Sequence, residues 1–190
     1  MDIMLDLETM GNGPNAAIVA IGATCFNIID ETVGSCFYET IDLESSVAGG
    51  GVMDASTVLF WLKQSDLARK DIIYGREPIE SALELFTGWI SENMGEERVI
   101  MWGNGAAFDN VILASAYRRH NILQPWDFRN DRCYRTIKNL NPEIKMQRRG
   151  TKHNALDDAI SQTEHLITIL TQSPQVNYAL KYKPFHEMGW

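Results

Sequence analysis

The chain opens on an apolar run, Ile3-Met4-Leu5, that continues directly into Asp6-Leu7-Glu8-Thr9. Such a run reads as a strand, and side chains along a strand alternate faces with period 2. Asp6 and Glu8 therefore project to one side, Leu7 to the other. Two carboxylates side by side on a buried face repel each other and lose hydration. A chain tolerates that where a cation sits between them. The alternative is a strand that frays at Asp6, with both acids solvated in a loop.

The rest of the chain supplies a frame for this strand. Met10-Gly11-Asn12-Gly13-Pro14-Asn15 is a loop on turn chemistry. Ala16–Asn27 and Val33–Leu43 are two further β-rich runs, so three successive strands on short links predict an antiparallel meander. Gly49-Gly50-Gly51 reads as a flexible break, Asp54–Thr57 as N-cap candidates for a helix through Val58–Leu62, and Ser65–Asp71 as a short helical piece. Ile79, Leu83, Phe86 and Ile90, joined by Trp89, mark an amphipathic helix. Arg98–Trp102 is a short apolar strand of the kind buried in mid-sheet, ended by Gly103-Asn104-Gly105. A helix from about Phe108 to His120 follows. Arg132–Ile137 reads as a fifth strand, 142–152 as a basic loop, and Asn154–Leu170 as the last long helix, with Leu156, Ile160, Thr163, Ile167 and Leu170 at helical spacing. The expectation is an α/β fold: a mixed sheet of about five strands, the antiparallel meander plus parallel strands, flanked by helices. Residues 1–172 would form one domain. The tail 173–190 carries Pro and aromatic residues without periodicity, and is expected to pack on that domain as an extended arm.

Length and charge narrow the classes. The 190 residues suffice for one domain with a good core, and no apolar run approaches the roughly 18 residues of a membrane span. The start has no basic or apolar leader, and Cys25, Cys36 and Cys133 lack C-x-x-C spacing. A cytoplasmic protein with reduced thiols and no membrane association is expected. The net charge of -8 weighs against a general nucleic-acid coat. Its distribution is uneven, however. Residues 129–152 hold eight basic residues, among them Arg148 and Arg149, against Asp131 and Glu143. An acidic body with one basic stretch suits a local polyanion contact; a solvated basic loop is the plainer alternative.

More ionisable groups sit at element ends. Asp109 starts the helix after the apolar strand, in Gly103-Asn104-Gly105-Ala106-Ala107-Phe108-Asp109. His153 stands at the mouth of the final helix and Asp158 five residues on, about 140° apart around an ideal helix. If His153 lies in the preceding loop, both can still point into one cleft. Four carboxylates can hold two divalent cations about 3.5–4 Å apart, and hard oxygen ligands favour Mg²⁺ or Mn²⁺. A histidine near its ordinary pKa of about 6.5 can take a proton from water. The chemistry such a set suits is phosphodiester hydrolysis.

Asp6-x-Glu8-Thr9, then Phe108-Asp109, then His153 followed at five residues by Asp158, resembles the DEDDh exonucleases of the DnaQ-like (RNase H-like) superfamily, from residue 3 to about 170. Asp6-Leu7-Glu8-Thr9-Met10-Gly11 with Ser56-Thr57 and Trp61–Gln64 is most similar to small phage- and prophage-type exonucleases of the phage exonuclease A kind and to related bacterial exoribonucleases. The second motif departs from the His-Asn-Ala-x-Phe-Asp of proofreading subunits, which weighs against proofreading. Relatives often carry Asp where Cys133 stands.

The resemblance implies an RNase H-like fold and a 3′→5′ exonuclease with two Mg²⁺ or Mn²⁺ on Asp6, Glu8, Asp109 and Asp158. It makes His153 the general base and places Thr9, Met10 and Phe108 at the terminal nucleotide. Arg148 and Arg149, just before His153, are read as phosphate contacts. Asp157 is read as a solvated or salt-bridged neighbour of Asp158 before a ligand; Asn104 as a helix cap before a substrate contact; Trp61 and Trp102 as core before stacking platforms; His120, His165 and His186 as surface or core residues. The expected partner is a single-stranded 3′ end, DNA before RNA, with a homodimer suggested by related exoribonucleases. The rival readings are an exoribonuclease with the same chemistry and a catalytically silent nucleic-acid-binding module. A dinucleotide-binding oxidoreductase is excluded, since Gly103-x-Gly105 lacks the third glycine of that fingerprint.

Overall fold

A computed structural model describes residues 1–95 and 97–172. The tail expected to pack as an arm, 173–190, lies outside the described residues. The first strand, β1 (Asp2–Thr9), takes the centre of the sheet because it is apolar on both faces from Ile3 to Leu5. Its neighbours β2 (Ile18–Asn27) and β3 (Thr32–Thr40) follow through short turns and pair antiparallel, β1 with β2 and β2 with β3. Beyond β1 the sheet turns parallel, through β4 (Ile100–Gly103) and then β5 (Asp131–Cys133), giving the order β3-β2-β1-β4-β5. The meander and the mixed five-strand sheet are as the sequence predicts.

Between β3 and β4 lie α1 (Leu43–Ala48), α2 (Ala55–Leu62), α3 (Asp66–Tyr74) and α4 (Ile79–Met94). After β4 come α5 (Asp109–Arg119), α6 (Tyr134–Leu140) and α7 (Ala155–Gln172). The period-2 pattern of β1 divides the core. Ile3, Leu5 and Leu7 face a cluster built with Leu83, Phe86, Ile90, Ile112 and Leu113 of α4 and α5. Met4 faces the opposite cluster, with Trp102, Tyr134, Ala159 and Leu166 from β4, α6 and α7. Asp6 and Glu8 continue the Met4 side, so they point to the α7 face.

Three local expectations are corrected. The run 132–137 is a strand only to Cys133; Tyr134 turns into the core and opens α6, so packing overrides the strand propensity of this segment. The third strand stops at Thr40, because Asp42 accepts from Ser45 N at 2.7 Å and caps a short helix where strand was expected. Gly49-Gly50-Gly51 is not a loose break but the hydrogen-bonded end of α1: Gly49 N donates to Ser45 O and Gly51 N to Ser46 O, with Gly50 at φ +85. The last helix is buried more widely than its apolar stripe implies, with Asp158, Ser161, Gln162, Thr163 and His165 all inside and Leu156 and Ile160 only half-buried. It is held between the sheet and α6.

No helix of the described residues is long and apolar enough to cross a membrane. Cys25, Cys36 and Cys133 are free thiols.

Candidate active site

The cleft forms where β1 and β4 part. Their last paired residues are Leu5 and Gly103. Past that point β1 runs on toward Thr9 paired only with β2, while the chain after β4 turns into α5. Parallel strands that diverge at their C-terminal ends leave a crevice there, the usual place for a ligand in sheets of this kind. The crevice has a volume of about 450 Å³, and Asp6, Glu8, Asp109, His153 and Asp158 all line it. The sequence-predicted acids and histidine, drawn from both ends of the chain, are therefore brought together.

Each is positioned by a different element. Asp6 and Glu8 sit on β1, both 9% exposed, so the strand does not fray there. Asp109 is the first residue of α5, and its Oδ1 accepts from Leu7 N at 3.2 Å, which ties the helix start to the end of β1. Asp158 lies in the first turn of α7. His153 precedes that helix in a left-handed backbone conformation, φ +65, which a β-carbon disfavours. Its N–H reaches Asp158 Oδ2 at 3.4 Å. Its ring stands edge-on to Phe60 and Trp61, with centroids 5.1 and 5.9 Å away. Glu8, His153 and Asp158 each offer a ligand atom within 4.8 Å of the others.

The electrostatics of this arrangement are unfavourable without a cation. Burial pushes the Asp6 carboxyl well above its ordinary value, and the charges of Asp109, Glu8 and Asp158 add to the shift. Gln162 partly offsets it, with Nε2 donating to Asp6 Oδ1 at 2.7 Å. Burial first, then Asp158 and Asp109, drives Glu8 up to about 8; Arg148 works in the other direction. Asp109 is raised to about 7 by burial, against the N–H of Leu7. His153 is shifted down by burial and by Lys152, with Asp158 opposing, so it favours the neutral ring that accepts a proton. Carboxyls held this far from their ionised state fit a divalent-cation site: bound metal supplies the missing positive charge, and all four acids offer the hard oxygen donors such ions take. Arg148 shows the same demand for positive charge, since its guanidinium is ion-paired with Asp158.

The expected substrate contacts divide. Thr9 and Phe108 line the cleft. The Thr9 hydroxyl donates to Gly11 O at 2.7 Å. Met10 does not reach the cleft. A bulge between Glu8 and Thr9 re-aims the chain, and Met10 packs inward with Val19, Trp61 and Ala68. Arg148 lines the cleft but Arg149 is turned away, pairing through Nε with Glu164 at 2.7 Å. Residues 148 and 149 are successive, and only one can face Asp158. Asp157 accepts from Thr151 N at 2.7 Å. Asn104 does not cap α5; it lines the cleft and accepts from Arg135, which lines it too. Trp61 is both core and cleft wall, 4% exposed with its Nε1 donating to Thr9 O at 2.9 Å. His165 is a core residue, bonded to Tyr134 and to Ile144 O. Arg135 and Phe60 escaped the sequence reading. For Arg135, the only signal was its membership of the basic stretch.

A family model described as the 3′-5′ exoribonuclease Rv2179c-like domain matches residues 1–170. The chain belongs to this family. Its acids and histidine keep the DEDDh order of 3′-5′ exonucleases, and the similarities elsewhere agree with that. An exodeoxyribonuclease of Enterobacteria phage T4 is 29% identical over 127 residues, 62% of this chain and 56% of that protein. The match thus spans little more than half of that relative's length. Among solved structures, the nuclease domain of 3′hExo, a DEDDh family member bound to rAMP, superposes with a TM-score of 0.64 at 12% identity, covering 92% of this chain and 94% of that one. Exonuclease I of E. coli in complex with a dT13 oligonucleotide gives 0.65 at 14% identity, covering 98% and 45%. At these identities the two structures share the fold, which is the RNase H-like fold the sequence predicts.

Proposed function

We propose that this Rv2179c-like chain hydrolyses single-stranded nucleic acid from the 3′ end, releasing 5′-mononucleotides. The observation that carries the reading is the convergence of Asp6, Glu8, Asp109, Asp158 and His153 on one cleft. Asp6, Glu8, Asp109 and Asp158 would hold two divalent cations, Mg²⁺ or Mn²⁺. When bound, these ions lower the pKa of the attacking water and offset the charge on the leaving 3′-oxygen. The chain's own part is positioning and proton transfer. His153 accepts the proton of the attacking water; its downward shift keeps the ring neutral and ready. Phe60, Trp61 and Phe108 give the cleft an aromatic lining against which terminal bases can stack. Arg148 and Arg135 stand at the cleft with charge for the backbone phosphates.

For the sugar, the ribose reading stands first, because the exoribonuclease family model covers residues 1–170. The deoxyribose reading expected from the sequence stands second, supported by the phage T4 exodeoxyribonuclease. A homodimer and the cytoplasm remain part of the proposal.

The test uses 3′-labelled and 5′-labelled single strands, RNA and DNA, with Mg²⁺ or Mn²⁺. Early release of the 3′ label as a mononucleotide, with a shrinking 5′-labelled ladder, is expected. His153→Ala should lose about a hundredfold in turnover or more while calorimetry shows metal binding largely kept. Release from the 5′ end, or internal cuts, would overturn the direction. Full turnover in His153→Ala would remove it as the base. Metal-independent binding without cleavage would favour the silent binding module.

A further inference from the structure

Three elements meet beside the cleft without lining it. Tyr38 comes from β3, Asp71 from α3, and Asn154 from the residue just before α7. Tyr38 OH donates to Asp71 Oδ2. Asn154 Nδ2 lies 2.7 Å from Tyr38 OH and 3.1 Å from Asp71 Oδ2, donating to both. The other end of the same amide is also used: Asn154 Oδ1 accepts from Asp157 N at 3.0 Å, and Asn154 O accepts from Asp158 N at 2.9 Å. Asn154 therefore caps the helix that carries Asp158 and at the same time fastens its start to β3 and α3.

A helix cap alone does not need this residue. Asp and Ser cap as well as Asn, since only an acceptor oxygen is required. What Asn adds is an NH₂ group, and here both of its contacts go to the Tyr38–Asp71 pair. The residue just before it is His153, whose left-handed backbone, φ +65, is a conformation that persists only where its surroundings impose it. With the backbone at 153 in that conformation, the direction of the His153 Cα–Cβ bond follows from where residue 154 is anchored, and Phe60 and Trp61 flank the ring.

We propose that Tyr38 and Asp71 clamp Asn154 and thereby aim His153 into the cleft, so that all three are positioning residues for the reaction. The inference rests on His153 as proton acceptor. The clamp holds the loop that presents His153 to Phe60 and Trp61, both carried by α2, which precedes α3 in the chain.

Asn154→Asp separates capping from clamping: it keeps the acceptor for Asp157 N and removes both amide donors. The melting temperature should stay within a few degrees of wild type. kcat should fall about tenfold or more with KM little changed. In NMR spectra, the His153 ring protons should lose the ring-current shift given by Phe60 and Trp61. The double variant Asp71→Asn/Asn154→Asp exchanges donor and acceptor and should recover most of kcat and the shift. Wild-type kcat with unmoved His153 resonances in Asn154→Asp would overturn the proposal. So would a kcat loss matched by a lower melting temperature, with no recovery in the double variant. If His153→Ala proved fully active, the base assignment would fall, while the His153 resonances in Asn154→Asp would still report on the clamp.

Discussion

Asp6 pairs across the β1–β2 ladder with Gly22, and the start of α7 lies directly on that glycine. A β-carbon at 22 would overlap the Ala155 carbonyl and the Leu156 nitrogen, both main-chain groups that cannot turn aside. The missing side chain lets α7 approach close enough for Asp158 and His153 to share a cleft with Asp6. Gly22→Ala should therefore cost on the order of 2 kcal/mol of stability and at least tenfold in turnover. Chemical denaturation and steady-state kinetics check both. A variant that kept its activity would mean that the contact at Gly22 does not set the cleft.

The crowded acids make stability depend on pH in a direction opposite to that of ordinary salt-bridged carboxylates. Glu8 and Asp109 are raised to about 8 and about 7 in the folded chain. Between their ordinary values, near 4, and these, the folded state binds more protons than the unfolded one, so stability falls as pH rises. In chelator, the melting temperature should drop steadily from pH 5 to pH 8. Saturating Mg²⁺ or Mn²⁺ should flatten or reverse that slope, since cations bind the ionised carboxylates. A melting temperature rising with pH in chelator would contradict the account.

Gln162 gives Asp6 its donor at 2.7 Å. Gln162→Leu fills a similar volume without it and leaves Asp6 harder to ionise. Groups that orient a metal ligand in this way are typically worth about 10–100-fold in affinity, and calorimetric titration with Mn²⁺ should show a loss on that scale. Unchanged affinity would leave Gln162 as packing only.

Arg148 pairs with Asp158, the acid also read as a metal ligand. Arg148→Gln should weaken the chelated protein by about 1 kcal/mol and tighten cation binding, because Asp158 is no longer shared. KM for oligonucleotides should rise. Cation binding that weakened in this variant would show that the guanidinium assists the metal site instead of competing with it.

Much of the site is legible in the chain because it rests on short-range geometry. Alternation along β1 puts Asp6 and Glu8 on one face whatever the rest of the protein does. The apolar strand ending at Gly103-Asn104-Gly105 delivers Asp109 to the same edge of the sheet, and the polar start of α7 carries Asp158. Less legible were the places where packing outweighs propensity. Tyr134 reads as part of a strand, yet its buried ring starts α6. Met10 reads as a substrate contact, yet a bulge turns it into the core. Arg135 and Phe60 carry no motif and enter the cleft only through the placement of α6 and α2.

The sequence by itself determined the strand with two acids on one face, the order of the acidic motifs and the histidine five residues ahead of the last acid. The tertiary structure alone decided which of Arg148 and Arg149 faces the cleft, that Gln162 serves Asp6 from 156 positions away, and that Tyr38 and Asp71 hold Asn154. The reason is physical. Face alternation and helix capping follow from the sterics of a few neighbouring residues, whereas these contacts exist only once the helices have been laid on the sheet and the distances between layers are fixed.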